Sequence, residues 1–178
     1  VDFKIILAKV VGLNIENDTI VIDKGLDDGI SENMPIISGE KVVYGKVATV
    51  YKNFSQVLLI SAQHSATNVK ISQSSVDSAS LAELEQPDDP KKITPYGVLR
   101  GRGGLSAFLD LVDLESTIQE GDNLVTSGLE GIYPRNLLVG KITSVLKSDV
   151  KPFQTAEVKL FSNFQSIENL FIITNYLR

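Results

Sequence analysis

The chain has 178 residues, 43% of them hydrophobic, and a formal net charge of -5, a length that allows one large domain or two small ones. The acidic balance and the lack of a basic stripe argue against nucleic acid, whose phosphates are bound by clustered Lys and Arg. Zero cysteines exclude a disulfide framework, a thiolate zinc site and a cysteine nucleophile together.

Along the chain, the longest apolar run, residues 3–13, carries Lys4 and Lys9 and falls short of the ~18–20 residues that span a bilayer. Because the chain opens at Val1, it is expected to be an excised fragment with any signal or anchor upstream. Thr19-Ile20-Val21-Ile22-Asp23 reads as a strand closed by Lys24-Gly25, and residues 42–50, 56–60 and 68–72 read the same way. Residues 72–95 differ: they are rich in Ser, Asp and Lys, include Pro87, Pro90 and Pro95, and hold almost no large apolar side chain. Such a stretch buries too little surface to offset its ordering entropy, so it is expected to connect two domains. A long hairpin loop within one domain is the less favoured alternative. A short helix is expected only at residues 77–85, where Leu81 and Leu84 share a face and Asp77 or Ser78 can cap it.

Further on, residues 97–105 read as strand and hairpin turn, and residues 107–112, 123–126, 138–145 and 170–174 as strands. In residues 155–161, Ala156, Val158 and Leu160 alternate with Thr155, Glu157 and Lys159, the period-two pattern of a strand with one buried face. Short strands at this spacing, with glycine turns between them, predict an all-β fold of small closed barrels.

The two halves echo each other. Ile30-Ser31-Glu32-Asn33-Met34-Pro35-Ile36-Ile37 aligns with Ile118-Gln119-Glu120-Gly121-Asp122-Asn123-Leu124-Val125, and Val43-Tyr44-Gly45-Lys46-Val47-Ala48-Thr49-Val50 with Leu138-Val139-Gly140-Lys141-Ile142-Thr143-Ser144-Val145. Asn33 faces Gly121, and Asn is the residue that best tolerates a glycine's positive φ. Two blocks in the same order favour duplication of a small barrel. The expected division is a first barrel at 1–71, a polar connector at 72–95 and a second barrel at 96–178. Gly25, Gly29, Gly45, Gly121, Gly128, Gly131 and Gly140 are assigned to turns and barrel corners.

These residues resemble the MreC family of rod shape-determining proteins. Thr19-Ile20-Val21-Ile22-Asp23-Lys24-Gly25 with Asp28-Gly29-Ile30 resembles the family's opening strand and turn, and Val43-Tyr44-Gly45-Lys46-Val47 a later one. Most specific are Gly121-Asp122-Asn123-Leu124-Val125-Thr126-Ser127-Gly128-Leu129, Gly131-Ile132-Tyr133-Pro134 and Val139-Gly140-Lys141-Ile142. The chain departs from the pattern at Asn33 and Asn136, where glycine is usual, at Asn17-Asp18, where an aromatic is usual, and in its long 72–95 segment. The resemblance implies two tandem six-stranded β-barrels on the outer face of the cytoplasmic membrane, anchored by a segment upstream and dimeric. It implies a non-catalytic scaffold of the cell-elongation machinery (the elongasome) that maintains cell shape by organising peptidoglycan synthesis. The implied partners are the elongation-specific penicillin-binding transpeptidase, MreD and, across the membrane, MreB. No cofactor, metal or nucleic acid is implied.

Double β-barrels also build chymotrypsin-like proteases, which need His, Asp and Ser in triad geometry. His64 is the only histidine, and Ser127 precedes a glycine, so their order mimics such an enzyme. However, Gly121-Asp122 is separated from Ser127 by a predicted strand, and the repeat explains Gly121 without catalysis. No calcium loop or phosphate-binding motif is present. The loop Gly128-Leu129-Glu130-Gly131-Ile132-Tyr133-Pro134 is extra length in the second repeat and carries apolar side chains where a connector would be polar. Leu129, Ile132, Tyr133 and Pro134 are therefore candidates for a partner-binding loop, against the simpler reading that they plug a barrel end. A partner strand added to an exposed barrel edge is a second possibility. The competing function is a generic extracellular β-barrel adaptor, for instance one that binds carbohydrate, although the chain has no Trp.

Overall fold

The computed structural model describes residues 3–72 and 94–176. These residues hold twelve strands: β1 (Ile5–Asn14), β2 (Thr19–Ile22), β3 (Pro35–Ile37), β4 (Val43–Val50), β5 (Ser55–Leu59), β6 (Ala66–Ser72), β7 (Tyr96–Gly103), β8 (Ser106–Asp113), β9 (Asn123–Thr126), β10 (Leu138–Leu146), β11 (Phe153–Leu160) and β12 (Asn169–Ile173). They form two closed six-stranded antiparallel barrels, ordered β1-β12-β3-β4-β5-β2 and β10-β11-β8-β7-β6-β9. Among the described residues the only helical element is a 3-10 turn at Leu26–Asp28. The helix expected at 77–85 lies outside the described residues. The longest strand, β1, is the apolar run that patterning leaves unassigned, because its two lysines break the alternation.

The expected division into 1–71, 72–95 and 96–178 is corrected by the strand pairing. β6, from the first half, lies between β7 and β9 of the second barrel, and β12, at the end of the chain, lies between β1 and β3 of the first. Each repeat is thus a six-strand unit that keeps five strands and gives its sixth to its neighbour. On either side of the 72–95 segment, Lys70 pairs with Tyr96, so the described flanks are adjacent strands of one barrel, the second. Polar composition carries no information about which strands flank such a segment.

The repeat itself is exact in its backbone details. Asn33 N–H donates to Val47 O at 2.8 Å, and Gly121 N–H to Ile142 O at 2.9 Å. Both residues have positive φ, 66° and 93°. The β4–β5 ladder breaks register between Val47 and Thr49, and the β10–β11 ladder at the aligned Ile142 and Ser144. Gly45 and Gly140 also correspond, since a Cβ on either would press into a carbonyl oxygen of the facing strand, Leu58 or Lys159. The same four-residue pattern was therefore folded twice.

Alternation builds the cores. The first barrel is filled by Ile20, Ile22, Ile36, Val47, Val57, Leu59, Leu170 and Ile172, all buried. In the second, Val69, Ile71, Leu99, Leu109, Leu124, Val139 and Ile142 do the same. The seam between barrels is also apolar. Ile37, Val43 and Ile173 turn outward from the first barrel and join the second barrel's cluster, while Leu105 and Leu138 pack back against the first. Burying apolar area across this seam fixes one barrel on the other.

Candidate functional site

The β9–β10 connection holds the candidate binding loop. Its base is tied by Thr126, whose hydroxyl donates to Pro134 O and accepts the Leu137 N–H at 2.9 Å. Arg135 Nε donates to Ser127 O at 3.3 Å. The loop then folds inward: Tyr133 is 4% exposed and joins the second barrel's core, Pro134 is buried, and Ile132 is half-buried against the same cluster. Only Leu129, 68% exposed, projects into solvent. Tyr133 and Pro134 are thus barrel-end plugs rather than partner contacts, because a barrel this small must close its mouth with its own side chains. Burial, and secondarily the nearby Glu130 carboxylate, push the Tyr133 phenol pKa well above its usual range. Both Glu130 carboxylate oxygens are themselves buried without a hydrogen-bond partner.

Ser127 and His64 are not brought together. Ser127 is 2% exposed and its hydroxyl donates to Asn68 O at 3.1 Å, inside the β6–β9 pairing. His64 is exposed in the β5–β6 turn with φ 69°. A nucleophilic serine needs its hydroxyl hydrogen-bonded to a base, and this one is spent on a carbonyl. Among the described residues no group of His, Asp and Glu is placed to hold a metal ion. A shallow cleft of about 270 Å³ at the mouth of the first barrel is lined by Val10, Leu13, Ile20, Phe164, Ile167 and Glu168 among others, below the usual size of a small-molecule site. No helix among the described residues is long and apolar enough to cross a membrane.

The glycines assigned to turns and corners fall into two conformational groups. Gly29, Gly121, Gly128 and Gly131 have positive φ, and Gly25, like Gly45 and Gly140, lies against a facing carbonyl where a Cβ would collide. Patterning missed the residues that clasp the barrels together. Asp18, 1% exposed, accepts the Leu105 N–H on both carboxylate oxygens at 3.2 Å. Leu138 N–H donates to Lys41 O at 2.9 Å, Gly101 N–H to Ser65 O at 2.9 Å and Gly103 N–H to Ser61 O at 2.8 Å. The signal for Asp18 was in the sequence, as an acidic residue standing where an aromatic is usual.

What the molecule offers to partners is outer strand surface. On β1, Ile5 (49%), Leu7 (53%) and Val11 (58%) are exposed. Tyr51 and Phe54 stack at 4.4 Å on the β4–β5 hairpin, and the equivalent β10–β11 hairpin exposes Leu146, Val150 and Phe153. A polar patch lies across β7 and β11, where Arg102 pairs with both Glu157 oxygens at 2.8 and 2.9 Å and lies 4.9 Å over the Phe108 ring. Single exposed apolar residues are ordinary; several along one strand mark a candidate interaction surface.

Comparison with known proteins agrees with this geometry. The family model "Rod shape-determining protein MreC, barrel core" matches residues 11–174. The cell shape-determining protein MreC of Escherichia coli (strain K12) is 28% identical over 88% of this chain and 38% of its own length. The chain spans 38% to 57% of the length of the curated relatives it matches. The crystal structure of MreC from Pseudomonas aeruginosa superposes with a TM-score of 0.77 at 21% identity, covering 96% of this chain and 99% of that one. MreC in its complex with the penicillin-binding protein PBP2 from Helicobacter pylori superposes with a TM-score of 0.67 at 18% identity, over 98% and 100% of the two chains. At these identities the structural likeness speaks for the fold.

Proposed function

The chain belongs to the MreC family of rod shape-determining proteins, and from that premise we propose that it is a non-catalytic scaffold of the cell-elongation machinery. In this reading it stands on the outer face of the cytoplasmic membrane, tethered by a segment upstream, and organises the enzymes that build the lateral wall. Its principal partner is the elongation-specific penicillin-binding transpeptidase, with MreD, MreB and a second copy of the chain completing the assembly.

One observation carries the reading: the family match runs across both barrels, over residues 11–174. Support for the partner comes from the Helicobacter pylori relative, whose structure is a complex with PBP2. The non-catalytic role is supported by Ser127, whose hydroxyl is committed to Asn68 O. Depletion in a rod-shaped host is expected to turn cells round and to disperse the transpeptidase from the lateral wall. Ser127→Ala in the full-length protein is expected to restore rods. Normal shape after depletion would overturn the scaffold reading, and failure of a folded Ser127→Ala protein to complement would overturn the non-catalytic part.

A further inference from the structure

The ladder on one side of β1 stops halfway. Thr174 N–H donates to Lys4 O and Val10 N–H to Glu168 O, so the even-numbered residues of β1 bond toward β12. The odd-numbered ones face β2, and Lys9 is the last to find a partner. Its carbonyl accepts the Asp23 N–H at 3.0 Å, and its N–H donates to the Asp23 carboxylate at 2.8 Å. β2 ends at Ile22, and Asp23 closes the last rung. The N–H and C=O of Ile5 and Leu7 therefore extend beyond it with no hydrogen-bond partner among the described residues.

The second barrel shows what is missing. Its equivalent hairpin has the same bulge, between Gly101 and Gly103 where the first has it between Val10 and Gly12. There β8 runs on to pair Asp110 with Val98, the counterpart of Leu7. Among the described residues the edge is covered in one copy of the repeat and open in the other. Unpaired strand edges are normally short, charged or covered, because they template pairing. This one carries exposed Ile5 and Leu7, with Phe171 opposite Leu7 on β12 and exposed Lys4 and Lys9 at its two ends.

We propose that the open half of β1, residues 5–8, is a docking edge for an extended segment of a partner protein that adds as a further strand. The inference rests on the reading of this chain as a partner-binding scaffold and names where and how one contact is made. Free N–H and C=O groups at strand spacing select an extended backbone. Outward Ile5 and Leu7 select apolar residues at alternate positions, and Lys4 and Lys9 select acidic residues flanking them. A second copy is a poorer occupant: both copies carry a formal charge of -5, and so short an edge buries far less than the roughly 1,200 Å² of a stable interface. A partner segment adds this pairing to contacts made elsewhere.

The test uses the extracytoplasmic region of the host's elongation transpeptidase as probe and reads hydrogen exchange. The Ile5 and Leu7 amides exchange rapidly in the free chain and slow by about tenfold or more in the complex. Leu7→Pro removes a donor that the barrel does not use, which an edge position tolerates, and is expected to weaken binding about tenfold at unchanged Tm. Leu7→Glu leaves the backbone intact and is expected to weaken binding as well. Wild-type affinity in both variants, with no protection at Ile5 and Leu7, overturns the docking edge while leaving the scaffold reading standing. Protection that rises with chain concentration alone identifies a second copy as the occupant and overturns the choice of partner. A wild-type chain that does not bind the transpeptidase overturns the partner reading, and this edge's role with it.

Discussion

Asp18 in the β1–β2 turn of one barrel and Leu105 in the β7–β8 turn of the other are joined by a buried carboxylate that accepts a backbone N–H at 3.2 Å on both oxygens. The two turns are counterparts in the repeat, so the barrels meet through equivalent hairpins. Asp18 also has φ 47°, a conformation that Asn and Asp tolerate better than other side chains.

Removing that acceptor leaves the Leu105 N–H stranded at the seam. Asp18→Ala is expected to destabilise the chain by about 1–3 kcal/mol in urea unfolding. Asp18→Asn retains an oxygen acceptor and the backbone preference, so it is expected to cost less. Equal losses for both variants would assign the effect to charge rather than to the hydrogen bond.

The Tyr133 phenol holds its proton more tightly in the folded chain than in the unfolded one, because burial and the adjacent Glu130 carboxylate oppose its ionisation. Its contribution to stability is fully present below the ordinary tyrosine pKa of about 10 and is lost as pH rises beyond it, by about 1.4 kcal/mol per pH unit. Tyr133→Phe is expected to flatten the decline of stability above pH ~10 relative to the unaltered chain. Parallel curves for the two proteins would show that Tyr133 ionises as freely when folded.

Gly121 at φ 93° has Asn33 as its counterpart at φ 66°. Gly121→Asn is therefore expected to cost less than about 1 kcal/mol, and Gly121→Val about 1–2 kcal/mol more, since a β-branched residue is poorly accommodated there. Gly45→Ala is a different case: its Cβ would collide with the Leu58 carbonyl of the facing strand, and a cost above about 3 kcal/mol is expected. Thermal unfolding of the three variants checks this ranking.

The Arg102–Glu157 pair has ideal bidentate geometry, but its side chains are 47% and 41% exposed. A double-mutant cycle is expected to give less than about 1 kcal/mol, falling as salt is raised. The Arg102 hydrogen bond holds the Glu157 carboxyl below its ordinary range. Its stabilisation is thus complete above the usual glutamate pKa and is lost as pH falls through the lowered value. A coupling that survives acid and high salt would contradict the assignment.

Much of the fold was legible because alternation and turn chemistry are local. The period-two stretch around Ala156 and the Asn33–Gly121 equivalence both report backbone conformation directly. Barrel membership was not legible. Whether Ala66–Ser72 closes its own barrel or the next depends on non-local pairing that no window of sequence contains, and the polar 72–95 stretch looks the same as a linker or a hairpin. The candidate loop was left between two readings for a related reason: Tyr133 and Pro134 have an anchor's chemistry, and only burial distinguishes a plug from a contact. The open edge at Ile5 and Leu7 depends on where a neighbouring strand stops, which again only pairing reveals.

The exchange of β6 and β12 has a consequence for biogenesis. The strand that lies between β1 and β3 follows the other eleven described strands in the sequence, so the first barrel cannot close until every strand of the second has been synthesised. Until then the edges of β1 and β3 that β12 covers have no strand to pair with, and unpaired strand edges are prone to misassociation.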